Sequence, residues 1–142
     1  MGRLMAIDYG RRRCGIAVTD PMRIVANGLT TVATSQLIDF VKTYTARESV
    51  DEIIVGLPRD VHGEFSESMN YIRPGIGRLS KAIPDIPVKF YDERFTSVIA
   101  HRSMLEMGMK KMQRRDKATV DRMDATIILN DYLQSNQYNN PL

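Results

Sequence analysis

Arg3-Leu4-Met5-Ala6-Ile7-Asp8-Tyr9-Gly10 opens the chain with an apolar run that stops at a carboxylate and a glycine. Consecutive apolar residues suit a short buried strand, and Asp8 falls at its exit, where the glycine lets the backbone bend and a ligand approach closely. Beyond the turn, Arg11-Arg12-Arg13-Cys14-Gly15 leads into Ile16-Ala17-Val18-Thr19-Asp20. The pair predicts a hairpin with a basic tip and Asp8 at its edge. A surface hairpin whose aspartate merely caps a turn would use the same residues. Acidic residues further along the chain favour a site of chemistry instead.

Outward from the hairpin, Pro21 breaks the pattern, and Ile24-Val25-Ala26 followed by Leu29-Thr30-Thr31-Val32 reads as a third strand interrupted at Asn27-Gly28 by a bulge or turn. Ser35 is placed to cap a helix running to about Glu48, with Leu37, Ile38, Val41 and Tyr44 or Thr45 at helical spacing. Asp51-Glu52-Ile53-Ile54-Val55-Gly56 reads as a strand covered on both faces, ended by Leu57-Pro58. A polar loop from Arg59 to Glu67 leads into a helix from about Ser66 to Ala82, in which Pro74 and Gly75 predict a kink or a break. Val88-Lys89-Phe90-Tyr91 forms a fifth strand that ends in Asp92-Glu93-Arg94. Thr96 begins a further helix that Gly108 ends, and a last helix runs from about Thr119 to Gln134. Three strands, a helix and two strand-helix units make an α/β protein: a mixed five-stranded sheet, part antiparallel meander and part parallel, flanked by helices. Residues 1–135 are expected to form one domain and 136–142 a flexible tail.

The chain has 142 residues, a formal net charge of +3 and one cysteine, Cys14. That length suits a single core without staples, and one cysteine excludes an internal disulfide framework, which points to a reducing, cytoplasmic setting. No stretch approaches the roughly 20 apolar residues that span a bilayer, and the N-terminus lacks a signal peptide's apolar stretch, so no membrane association is expected.

Strands one, four and five all end in polar turns, and in open α/β sheets sites form at those carboxyl ends. Asp8, Glu93 and either Asp121 or Asp124 could converge there. Several carboxylates in one cleft repel one another unless a divalent cation lies among them. Oxygen ligands suit Mg²⁺ or Mn²⁺, whereas zinc would want the paired His or Cys spacing that is absent. Such ions activate water for in-line attack on a phosphodiester, so the pattern points to a nuclease. For the third carboxylate, Ala125, Ile128, Leu129, Tyr132 and Leu133 make the stripe expected to pack on the sheet. At about 100° per residue, Asp121 lies roughly 50° from the centre of that stripe and Asp124 roughly 110° from it, which favours Asp121.

Asp8-Tyr9-Gly10 with Gly15, Val55-Gly56-Leu57-Pro58, Asp92-Glu93-Arg94-Phe95-Thr96, and Val120-Asp121 before Ile127-Ile128-Leu129 and Tyr132 resemble the motifs of the YqgF (RuvX) family. The blocks span almost the whole chain in order, and together they are specific where each alone is weak. The resemblance implies a ribonuclease H-like fold and a nuclease that acts in 5′-end maturation of pre-16S rRNA or in Holliday junction resolution. It implies Asp8, Glu93 and Asp121 as catalytic, metal-binding carboxylates. One departure is visible: Met123-Asp124 stand where the family usually has small residues, which leaves the choice between Asp121 and Asp124 open.

Gly10 and Arg11 at the hairpin tip, Arg94 beside Glu93, and Lys110, Lys111, Arg114 and Arg115 in a basic stretch offer contacts for a phosphate backbone. A cation run is also what an ordinary solvated face looks like. No aromatic stacking platform stands out, since there is no Trp and Tyr9, Tyr91 and Phe95 serve as readily in a core. The expected partner is nucleic acid, pre-rRNA or branched DNA, bound by a monomer or weak homodimer. Two other readings use the same residues. An ATP-binding module would share the Asp-x-Gly turn, but such proteins close two domains over the nucleotide. A non-catalytic ribosome-assembly or nucleic-acid-binding factor would bind in EDTA and never cleave.

Overall fold

In the first strand, both sides of the apolar run are buried, and this double burial organises the rest. The computed structural model describes residues 2–57, 69–92 and 124–134. Strands β1 (Arg3–Tyr9), β2 (Arg13–Thr19) and β3 (Ala26–Ala33) are followed by a 3₁₀ turn (Thr34–Gln36) and helix α1 (Leu37–Arg47). Strand β4 (Val50–Leu57), helix α2 (Met69–Ala82), strand β5 (Val88–Asp92) and a last helix α3 over 124–134 complete the described elements. The five strands form one sheet in the order β3-β2-β1-β4-β5. β1 pairs antiparallel with β2 and β2 with β3, whereas β4 runs parallel to both β1 and β5. The mixed sheet expected from the sequence is the one observed.

Side-chain alternation divides the core in two. On one face Met5, Ile7, Cys14, Ile16, Val18, Ile53 and Val55 pack with Leu37, Val41 and Tyr44 of α1 and Met69, Ile72, Ile76 and Leu79 of α2. On the other, Leu4, Ala6, Ala17, Ala26 and Ile54 pack with Ala125, Ile128, Leu129 and Leu133 of α3. The stripe read from the sequence is therefore the buried face of α3, with Tyr132 partly buried against the same cluster. Cys14 is buried in the core, as expected of a small apolar side chain.

Three local expectations are refined. The interruption in β3 is a bulge: Ile16 pairs with Thr30 and Ala17 with Gly28, so Leu29 is the extra residue. Ile24 and Val25 lie outside that strand and are exposed. Ser35 does not cap α1; the cap position is Gln36, with no side-chain cap bond, because the chain enters through the 3₁₀ turn and the Leu37 amide bonds the Thr34 carbonyl. Pro74 does not break α2, which runs continuously from Met69 to Ala82. Its ring lies on the exposed side while Met69, Ile72, Ile76 and Leu79 bury the other, so tertiary packing outweighs one lost backbone bond.

Candidate active site

Asp8 is the penultimate residue of β1 and is half-buried. Its side follows from alternation: Leu4 and Ala6, two and four residues earlier, pack in the α3 cluster, so Asp8 shares that face. Its antiparallel partner is Gly15. On the parallel side Ile7 pairs with Val55, so the next position on β4 is Gly56, which in turn pairs with Tyr91 of β5. Asp8 is thus flanked along the row by glycines at the paired positions of both neighbouring strands. This fits a site that a ligand approaches closely. At the same level the strand ends of β4 and β5 pair Leu57 with Asp92, and Glu93 follows directly in sequence.

Helix α3 is fastened over this face by polar contacts at its rim. The Tyr91 hydroxyl donates to Asp131 Oδ2 at 2.5 Å, and the Tyr132 hydroxyl donates to Glu52 Oε1 at 2.7 Å. Lys89 Nζ pairs with the same Glu52 oxygen at 3.2 Å. The two tyrosine rings meet edge to face, 5.7 Å apart with an interplanar angle of 89°. Tyr91 thus joins the α3 cluster, with its hydroxyl hydrogen-bonded. Asp124 is the first described residue of α3 and is half-buried, as its place at the margin of the apolar stripe predicts.

Tyr9, next along β1, points to the opposite face and packs against the α1–α2 cluster. Its ring lies 6.2 Å from that of Tyr71 on α2, tilted by 31°, and its hydroxyl rests against Gly75, where a β-carbon would collide with it. Burial pushes the Tyr9 phenol above its ordinary range, while Arg78, hydrogen-bonded to it, pulls the other way. The hairpin tip itself is tied down by Thr34, whose Oγ1 donates to the Gly10 carbonyl at 2.7 Å and whose amide donates to the Arg12 carbonyl at 2.9 Å. Gly10 is required there, since a β-carbon would run into the Arg13 carbonyl oxygen. Arg11 is exposed, with its guanidinium carbon 5.2 Å from the centre of the Tyr71 ring.

Of the residues that the sequence nominated, Asp8, Gly10 and Arg11 are therefore at one end of the sheet. Glu93, Arg94, Lys110, Lys111, Arg114, Arg115 and Asp121 lie outside the described residues, as does the choice between Asp121 and Asp124. Among the described residues, no three His, Cys, Asp or Glu side chains gather into a metal-binding group. The donor expected to hold a hard cation and present here, Asp8, has the right chemistry, an oxygen ligand at a strand exit between two glycines. Sequence reasoning missed Thr34 and Tyr71. Tyr71, Gly75 and Arg78 recur at i, i+4 and i+7, a spacing that puts them on one face of a continuous helix, whereas Pro74 signals a kink or a break between them. Among the described residues, no helix is long and apolar enough to cross a membrane.

Comparison with known proteins bears on this arrangement. The family model described as "RuvX: Holliday junction resolvase" matches residues 2–135. A protein of Bacteroides fragilis named "Putative pre-16S rRNA nuclease" is 56% identical over 135 residues, which is 95% of this chain and 98% of that protein. A protein of the same name from Phocaeicola vulgatus is 55% identical over 138 residues, covering 97% of this chain and 99% of that one. Among solved structures, Thermus thermophilus RuvC in complex with a Holliday junction substrate superposes with a TM-score of 0.58. It is 14% identical in sequence and the match covers 95% of this chain and 96% of that one, so the likeness is one of fold, the ribonuclease H-like fold.

Proposed function

The chain belongs to the RuvX family of Holliday junction resolvases, and we propose that it is a divalent-metal-dependent endonuclease acting on structured nucleic acid. The reading extends to 5′-end processing of pre-16S rRNA, which the names of its relatives support, with Holliday junction resolution supported by the family description. The observation that carries the proposal is the row Gly15, Asp8, Gly56, Tyr91 at the carboxyl ends of the strands, under the face that α3 covers. A carboxylate at the strand exit, with glycines at the paired positions on both sides, stands where a ligand backbone can approach closely.

Asp8, Glu93 and Asp121 are the carboxylates proposed to hold Mg²⁺ or Mn²⁺, within a single domain over residues 1–135. A bound divalent ion supplies Lewis-acid stabilisation of the phosphate and an acidified water. The chain's own contribution is to fix Asp8 through the β1 ladder and to press α3 onto the sheet through Tyr91 and Tyr132. Arg11, Arg94, Lys110, Lys111, Arg114 and Arg115 are proposed to hold the phosphate backbone on either side, with Gly10 shaping the tip.

Asp8→Asn keeps the side chain's shape and removes its charge. With labelled pre-ribosomal RNA and four-way DNA junctions in Mn²⁺, the variant should lose cleavage by at least about a hundredfold, as expected when a metal-positioning carboxylate is neutralised. It should still bind both substrates in EDTA. Cleavage at the parent's rate by a folded Asp8→Asn protein would refute the site. Binding without cleavage by the parent in any divalent ion would favour the non-catalytic assembly factor.

A further inference from the structure

The hairpin tip and α2 form an assembly on the sheet face away from Asp8. Its components run in sequence through space: Arg78 bonds the Tyr9 hydroxyl, Tyr9 meets the Tyr71 ring, and Arg11 lies over that ring. Every member is constrained. Tyr9 is held by the β1 ladder and by its seat on Gly75, and Tyr71 is partly buried against the core cluster. The carbonyls on either side of Arg11, those of Gly10 and Arg12, both accept hydrogen bonds from Thr34. An exposed arginine thus has its backbone anchored on both sides and its guanidinium within cation–π range of an aromatic ring.

A guanidinium attracted to a ring face by its charge still has N–H donors in a fixed fork for a second partner. That fork matches two oxygens of a phosphate, and a fork held in place loses less rotamer freedom on binding than a free side chain would. Tyr71 already has Arg11 over its ring and Tyr9 beside it, so the assembly suits recognition of a phosphate rather than stacking of a base. Its position matters as well. Arg11 is three residues from Asp8, just past the carboxyl end of the same central strand, so a nucleic-acid strand crossing that end of the sheet passes both.

We propose that Arg11 is a pre-organised phosphate clamp for the nucleic-acid strand flanking the scissile bond, and that Tyr71 is the residue that positions it. The proposal rests on the nuclease reading for the identity of the partner. It assigns a role to Tyr71 and to the α2 face that no metal ligand supplies.

The test is made in EDTA, so that it is independent of cleavage, by fluorescence anisotropy with labelled single-stranded RNA and a four-way DNA junction across a KCl series. Arg11→Gln should bind about tenfold more weakly, as for loss of a charge-assisted hydrogen bond. Its salt slope should be shallower by about 0.7 on single-stranded RNA and about 0.9 on duplex arms, one phosphate's worth of released counterion. Arg11→Lys should keep most of the slope and lose affinity, because the charge stays and the planar fork does not. Tyr71→Phe should bind like the parent, Tyr71→Leu should lose several-fold, and Arg11→Gln with Tyr71→Leu should lose no more than Arg11→Gln alone, since one residue acts through the other. An unchanged slope in Arg11→Gln overturns the clamp, and additive losses in the double variant overturn the positioning role of Tyr71. Arg11 is exposed, so its variants test the clamp even if Tyr71→Leu fails to fold. The nuclease reading fails separately, when the parent binds but cleaves neither probe in any divalent ion, and failure of the parent to bind either probe overturns the clamp as well.

Discussion

Gly75 and Gly77 are two residues apart on α2, and alanine substitution should move stability in opposite directions. Alanine gains roughly 1 kcal/mol over glycine within a helix, because the backbone loses less entropy on folding. At Gly77 nothing lies within 4 Å of an added β-carbon, so that gain should stand alone. At Gly75 the same carbon would overlap the Tyr9 hydroxyl oxygen and Cζ. The Tyr9 ring cannot swing aside without leaving Arg78 and shifting against Tyr71. Overpacking of this kind costs about 1–3 kcal/mol, so Gly75→Ala should be net destabilising by up to about 2 kcal/mol. At about 2–4 °C per kcal/mol, its Tm should fall by several degrees while that of Gly77→Ala rises by about 2–4 °C. Thermal and urea unfolding of both variants measure this directly. Adding Tyr9→Phe to Gly75→Ala removes the nearest atom and should recover part of the loss. A Gly75→Ala protein as stabilised as Gly77→Ala would refute the close seat of Tyr9 on α2.

Leu129→Ala removes a fully buried side chain between α3 and the sheet, and should cost about 2–5 kcal/mol in urea unfolding. The Asp20 carboxyl is held below its ordinary range, first by the Val25 amide and also by those of Ile24 and Met22, with Oδ1 accepting at 2.9 Å and 2.8 Å and Oδ2 at 3.2 Å. A carboxylate with a depressed folded-state pKa contributes stability above its unfolded value, near pH 3.8, that is lost as pH falls through the lower folded value. Asp20→Asn should therefore lower Tm at pH 7, and the gap to the parent should close on acidification below about pH 4; a gap that is constant down to pH 2 would contradict the assignment.

The sheet was legible because its strands carry strong local signals. β1 and β4 are apolar over most of their length, and the Gly and Pro punctuation around them marks their ends. The α3 stripe was equally plain, because a helix covering a sheet repeats its buried residues at fixed spacing. Less legible were features set by distant partners. Ser35 has the right chemistry for a cap, but the Thr34 carbonyl satisfies the Leu37 amide first. Pro74 looked disruptive because sequence alone does not reveal that its side of α2 faces solvent. Tyr71 resembles any core aromatic until the hairpin tip is brought against it from more than fifty residues away. At the candidate site, Asp8 was placed by its strand exit, whereas the glycines beside it belong to other strands and become neighbours only through the register of the sheet.

That register explains how one strand can serve two functions. Because both faces of β1 are buried, polarity alone does not decide which face Asp8 occupies, and a one-residue slip would exchange it with Tyr9. Side-chain size makes the distinction. The α3 side of the central strands carries Leu4, Ala6, Ala17 and Ile54, with Gly15 and Gly56 beside Asp8, while the α1–α2 side carries Met5, Ile7, Cys14, Ile16, Val18, Ile53 and Val55. A slipped β1 would put Leu4 and Ala6 against the helices shaped to meet Met5 and Ile7, leaving voids on one face and overlap on the other. It would also bring the Tyr9 ring into the row where the glycines stand. Core packing thus directs Asp8 to the α3 face and Tyr9 to Gly75, so the volume difference between the two faces specifies the candidate site and the buttress of Arg11 together.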